Sequence, residues 1–153
     1  MKSTNRLLSL TLILLLFVTF SYSQETHVVT LYVNTAELTK NSISEHANFG
    51  QTDGVTNEDF TTFVYVNDNV EWIGVSTSSE EDEVNITKIK YKKGKKLLQR
   101  DENDGVKKVM AKVDKGDSGD EEKYILYFNI VSQTNPQNRT FIIDPKIQIK
   151  TQE

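Results

Sequence analysis

The stretch Lys123-Tyr124-Ile125-Leu126-Tyr127-Phe128-Asn129-Ile130-Val131 decides the fold. Tyr124, Leu126, Phe128 and Ile130 occupy every second position, and successive side chains of a strand point to opposite faces. One face of this segment is therefore wholly apolar, as expected of a strand laid against a core.

The same period of two recurs on either side of it. Before it, Val29, Leu31 and Val33 alternate in His27–Asn34, and Phe60, Thr62, Val64 and Val66 share a side of Phe60–Val66. Asn67-Asp68-Asn69 is a turn signal, because Asn and Asp tolerate left-handed backbone and close local turns. Asn69–Val75 follows as a strand carrying Trp72. In Val84–Tyr91 the apolar positions change face midway, Val84 and Ile86 giving way to Ile89 and Tyr91, which predicts a β-bulge or a crossing between sheets. Lys107–Val113 places Val109, Ala111 and Val113 together. After the central stretch, Phe141, Ile143, Pro145, Ile147 and Ile149 alternate with polar or outward residues through Arg139–Lys150. Pro145 donates no ladder hydrogen bond, so it marks an edge or a bulge. Between the first two strands Thr35–Asp59 is a long polar connection with room for one helical turn near Ser44–Ala47.

About seven short strands separated by turn-rich segments predict an all-β chain, an antiparallel β-sandwich of immunoglobulin-like or cupredoxin-like type. Parallel α/β architecture would need helical segments between the strands, and the pattern offers none.

The chain's address is written ahead of this body. An apolar run from Leu7 to Phe20 follows Lys2 and Arg6, and Ser21 and Ser23 stand at the −3 and −1 positions of a cut after Ser23. This is the shape of a secretory signal peptide, and the run is short of the ~20 apolar residues of a membrane span. The expected organisation is a leader over 1–23 and one sandwich domain over 24–153, with the mature chain starting at Gln24 and no stable membrane anchor. The expected location is secreted or periplasmic.

Composition narrows the chemistry. The chain has no cysteine, which excludes thiolate nucleophiles, thiolate zinc sites and disulfide staples. Its 18 basic and 22 acidic residues become 16 and 22 once Lys2 and Arg6 are removed. A net charge of −6 does not favour nucleic acid as a partner. His27 and His46 are the histidines, and no Gly-x-Ser-x-Gly elbow, phosphate loop or His-Glu-x-x-His pair occurs. The reading is a non-enzymatic protein without a cofactor.

Two resemblances bear on the fold. Tyr65-Val66-Asn67-Asp68-Asn69-Val70-Glu71-Trp72 resembles the start of cupredoxin domains, where a turn introduces a Val-x-Trp strand. Copper-binding members use two His, a Cys and usually a Met. Here there is no Cys, Met110 is the methionine of the mature chain, and both histidines lie far from the C-terminal strands. The resemblance is to a cupredoxin-like domain lacking copper ligands. A longer one covers Asn67–Ser76, Tyr124–Phe128 and Phe141-Ile142-Ile143-Asp144-Pro145-Lys146-Ile147. Their order resembles the AidA/PixA inclusion-body family of bacterial β-sandwiches, with a turn–Trp strand, a late aromatic strand and a terminal aromatic–x–x–Asp–Pro strand. The chain departs from that pattern in its leader and in having Ile143 before Asp144.

Candidate binding residues follow from charge and aromaticity. Asp114, Asp117, Asp120 and Glu122 could offer hard oxygen ligands to calcium, although the spacing is not that of an EF-hand and the simpler reading is a solvated loop. Lys88, Lys90, Lys92, Lys93, Lys95 and Lys96 form a basic stripe, read as lysines that pair with neighbouring acids and discourage edge-to-edge association. Trp72 could stack on a sugar ring, yet a Trp alternating with Val70 reads first as a core anchor. Tyr127 and Tyr32 fall on outward faces. Two functions therefore stand: an exported interaction or structural module with an unknown protein or glycan partner outside the cytoplasm, or a calcium- or carbohydrate-binding accessory protein using the acidic loop and exposed aromatics.

Overall fold

A computed structural model describes residues 24–132 and 140–151. The expected leader over 1–23 and residues 133–139 and 152–153 lie outside the described residues. Among the described residues ten strands and one helical turn follow in order: β1 Thr26–Val33, α1 Ile43–His46, β2 Ala47–Asn48, β3 Thr61–Val64, β4 Asn69–Ser76, β5 Glu83–Gly94, β6 Glu102–Asp104, β7 Val109–Lys112, β8 Glu121–Val131, β9 Thr140–Ile143 and β10 Lys146–Ile149. They form two sheets, ordered β2-β1-β4-β7 and β3-β10-β8-β5-β6, with β9 also paired to β8. The chain is a β-sandwich.

Alternation does what the sequence predicts. Val29, Leu31 and Val33 of β1, Val70 and Trp72 of β4, and Val109 and Ala111 of β7 line the inner face of the first sheet. Tyr124, Leu126 and Phe128 of β8, Ile86 and Ile89 of β5, and Ile147 of β10 line the second. The face change in β5 is a register break between Ile86 and Lys88 against β8, so Thr87 takes up the extra residue and both isoleucines stay buried.

Three features differ from the expectation. First, β1–β4 and β3–β10 are parallel pairs. Alternation specifies which face a residue takes but carries no information on strand direction, which the long 34–68 connection sets by passing through β3 in the opposite sheet. Second, three of the extra strands come from short segments: β2 has two residues, β6 is Glu102-Asn103-Asp104 with no apolar residue, and β9 and β10 divide one expected strand. Third, Pro145 breaks that last strand without shifting it. Leu126 pairs Ile143 and Lys123 pairs Lys146, the same register on both sides of the proline. Pro145 lacks an N–H but still accepts from Tyr124 N at 3.1 Å through its carbonyl. The inward set Phe141, Ile143, Ile147 and Ile149 therefore stays in line.

The lysine stripe is largely neutralised on the outer face of the second sheet. Lys88 meets Glu102 at 3.2 Å and Asp104 at 3.5 Å, Lys90 meets Glu102 at 2.5 Å, Lys92 meets Asp144 at 2.5 Å, and Lys96 pairs with Asp101. Each is an exposed or partly exposed pair, so its contribution to stability is small.

A buried side-chain hydrogen bond ties the sheets at their centre. Trp72 Nε1 donates to Tyr124 Oη at 2.8 Å, and the rings meet edge-on at 5.4 Å and 68°. Both side chains are fully buried. Tyr124→Phe leaves the indole N–H without that acceptor, and a stranded buried donor costs about 1–3 kcal/mol. Denaturant unfolding followed by the emission of Trp72, the chain's single tryptophan, should show this loss; an unchanged midpoint would count against the link.

Candidate functional site

The sequence-derived candidates do not converge. Trp72 sits in the core between the sheets, where no sugar ring can reach it. Its alternation with Val70, against a sheet carrying Tyr124, turns it inward. Tyr127 is on the outer face of β8, partly buried between Lys88 and Ile142 in register. Tyr32 is 39% exposed on the outer face of β1.

The acidic loop is split between outside and inside. Asp114 and Asp117 are exposed. Asp120 closes its own turn, its Oδ2 accepting from Asp117 N at 2.8 Å. Glu122 is completely buried. It falls in phase with Tyr124 and Leu126 on the inner face of β8, so the strand's own period draws it into the core. There Glu122 Oε2 accepts from Leu97 N at 2.5 Å and Leu98 N at 3.0 Å, while Oε1 is buried with no hydrogen-bond partner. The reading of Glu122 as part of a solvated loop, with calcium ligation beside Asp114, Asp117 and Asp120 as the alternative, meets a different placement: Glu122 lies in the core and its carboxylate holds the 97–98 backbone.

Burial pushes the Glu122 carboxyl above its ordinary range, outweighing the two backbone donors that favour its charged form. A group whose folded pKa is raised gives its full contribution below the unfolded pKa and loses it as pH rises through the folded value. Glu122→Gln removes that titration. The difference in melting temperature between this variant and the parent should therefore move in the variant's favour from pH 4 to pH 8. A flat difference across that window would contradict the assignment.

A cluster that the sequence did not announce lies where β1 and β4 begin side by side. Their parallel register sets Thr26 against Asn69 and His27 against Val70, which brings Glu25 beside the 65–69 turn. Asn67 takes the left-handed conformation there (φ 79°), as a turn Asn readily does. Asp68, 4% exposed, accepts from His27 Nε2 at 2.7 Å and Tyr65 N at 2.8 Å through Oδ2, and from Glu25 N at 3.1 Å through Oδ1. Burial pushes the Asp68 carboxyl up, but the Tyr65 N–H, His27 and the Glu25 N–H together hold it below the usual range. Glu25 Oε2 lies 3.9 Å from His27 Nε2. Ligand-capable atoms of Glu25, His27 and Asp68 all lie within 4.8 Å of one another.

Beside this cluster opens a groove of about 610 Å³. Glu25, Asp68 and Asp117 supply its acidic side, while Tyr65, Val66 and Ile149 supply apolar wall. Lys150 Nζ stands 4.8 Å above the Tyr65 ring at the same place. Sequence reasoning took His27 as the start of a strand and Asp68 as a turn residue. Both roles are real, but 41 residues separate them and only the parallel pairing joins them.

The second histidine is engaged elsewhere. His46 Nδ1 in α1 lies 3.5 Å from Glu37 Oε2. Asp68→Ala should remove an acceptor from Tyr65 N, Glu25 N and His27 at once and cost about 2–5 kcal/mol, as loss of a buried hydrogen-bonded charge does. Hydrogen exchange should show faster opening of the first residues of β1 and β4 than of β8; a uniform change would argue against a local clamp.

No family model matches the sequence, and no curated protein matches it either. The fold does have a counterpart among solved structures. The inclusion body protein PixA from Burkholderia cenocepacia J2315 superposes with a TM-score of 0.55 at 11% identity, covering 86% of this chain and 99% of that one. A laccase from B. aclada, the L499M mutant, aligns with a TM-score of 0.29 at 12% identity over 81% of this chain and 29% of its own. The resemblance to a PixA-type sandwich read from Trp72, the aromatic β8 and the Asp144-Pro145 strand is thus present in the fold.

Proposed function

We propose that the chain is a non-catalytic β-sandwich that works outside the cytoplasm as an interaction or structural module. The observation that carries this reading is the outer face of the first sheet. Val28, Tyr32, Val75 and Met110 are 55%, 39%, 40% and 53% exposed there. In register, Val28 lies across Glu71 from Met110, and Tyr32 is opposite Val75. Exposed apolar side chains gathered on one face of a sheet favour contact with a partner.

Two further observations support it. His27 is hydrogen-bonded to Asp68, His46 Nδ1 lies 3.5 Å from Glu37 Oε2, and the buried Glu122 is spent on backbone donors. The fold's similarity to an inclusion body protein is in keeping with a structural role. Export rests on the leader-like segment before Gln24.

The experiment is a comparison in the producing cell. Protein recovered outside the cytoplasm should begin at Gln24. A photo-crosslinker at Met110 should give adducts that disappear when Val28 and Tyr32 are both replaced by Glu. Cytoplasmic retention of the intact chain, or enzymatic turnover of ester, peptide or glycoside substrates lost on His46→Ala, would overturn the reading.

A further inference from the structure

We propose that Glu25, His27 and Asp68 form a binding site for a divalent transition metal of the zinc class, at the rim of the groove between the start of β1 and the 65–69 turn. The donor set is one imidazole nitrogen and two carboxylate oxygens. That combination suits zinc, which takes His nitrogen and Asp or Glu oxygen at about 2.0–2.2 Å with a water completing the tetrahedron. Calcium, which prefers six to eight oxygens, has no use for the imidazole.

The geometry is close to what coordination requires. Donor atoms around a tetrahedral zinc are separated by ~3.3 Å, which follows from the bond lengths above. His27 Nε2 is 2.7 Å from Asp68 Oδ2 and 3.9 Å from Glu25 Oε2. The first distance has to open slightly and the second to close by a similar amount. Glu25, its side chain 63% exposed, supplies the second movement; the first is a shift of about 0.6 Å between the more enclosed His27 and Asp68, 14% and 5% exposed. Asp68 is already oriented by the Tyr65 and Glu25 N–H groups. Ligating carboxylates are commonly held by outer hydrogen bonds of this kind. Two of the three donors, Glu25 and Asp68, line the groove, where Asp117 stands on the opposite loop.

The test is calorimetric titration of the purified, tag-free protein with zinc chloride, alongside thermal melting with zinc or calcium. Wild-type protein should bind one zinc ion and melt higher in its presence, by linkage. Glu25→Gln and His27→Gln should each weaken binding roughly tenfold or more, the size expected for losing a metal ligand or its support. Glu25→Gln decides the matter if His27→Gln fails to fold, because the exposed Glu25 side chain contributes little to the fold. Copper(II) bound in place of zinc should show coupling to a single imidazole nitrogen by electron paramagnetic resonance, and His27→Gln should abolish it. No binding at millimolar zinc, equal binding by Glu25→Gln, or a melting shift with calcium alone would overturn the proposal.

Discussion

The structure depends on the crossing of Trp72 and Tyr124 between the two sheets. Trp72 belongs to β4, an inner strand of the first sheet, and Tyr124 to β8, the middle strand of the second. A sandwich closes by burying apolar faces, and that force is indifferent to exact placement. A buried hydrogen bond is not, because a misaligned indole N–H in this core would be stranded. Burial drives the Tyr124 hydroxyl strongly away from ionisation, so it remains available as a neutral partner. The pair therefore fixes how β4 lies across β8, and with it the position of every strand paired to either.

Gly74 shows how close that approach becomes further along β4. A Cβ there would sit 2.4 Å from the carbonyl oxygen of Val84 in β5, so only glycine lets the two sheets meet at this end. The Ile86 N–H, moreover, bonds Lys107 O across the corner between sheets. The bulge at Thr87 follows directly. It lets β5 serve the sheet corner with Val84 and Ile86, then return to register with β8 through Ile89.

What the sequence made legible was face, not direction. Val29, Leu31 and Val33, Tyr124, Leu126 and Phe128, and the face change in β5 could all be placed from period two, because burial on one side imposes it. The parallel pairs could not, since direction depends on where a long loop returns. Glu122 was misread for a related reason. Its neighbours in sequence are acidic, so composition suggested a solvated loop, but its phase with Tyr124 put it in the core. Phase is the stronger constraint, because a strand cannot turn one residue without turning all of them.

The same blindness to direction hid the Glu25–His27–Asp68 cluster. In an antiparallel arrangement β1 and β4 would begin at opposite ends, and His27 would lie a strand's length from Asp68. Parallel pairing places both starting turns at one end, where the first N–H groups of the ladder need acceptors from outside the strands. Asp68 meets that need for Glu25, while Asn69 N reaches Glu25 O to begin the ladder. A carboxylate recruited to finish a sheet edge thus comes to rest against an imidazole, beside a groove, with a second carboxylate two residues before that imidazole in the chain. Structural necessity assembled the three donors, and two of them, Glu25 and Asp68, came to line the groove.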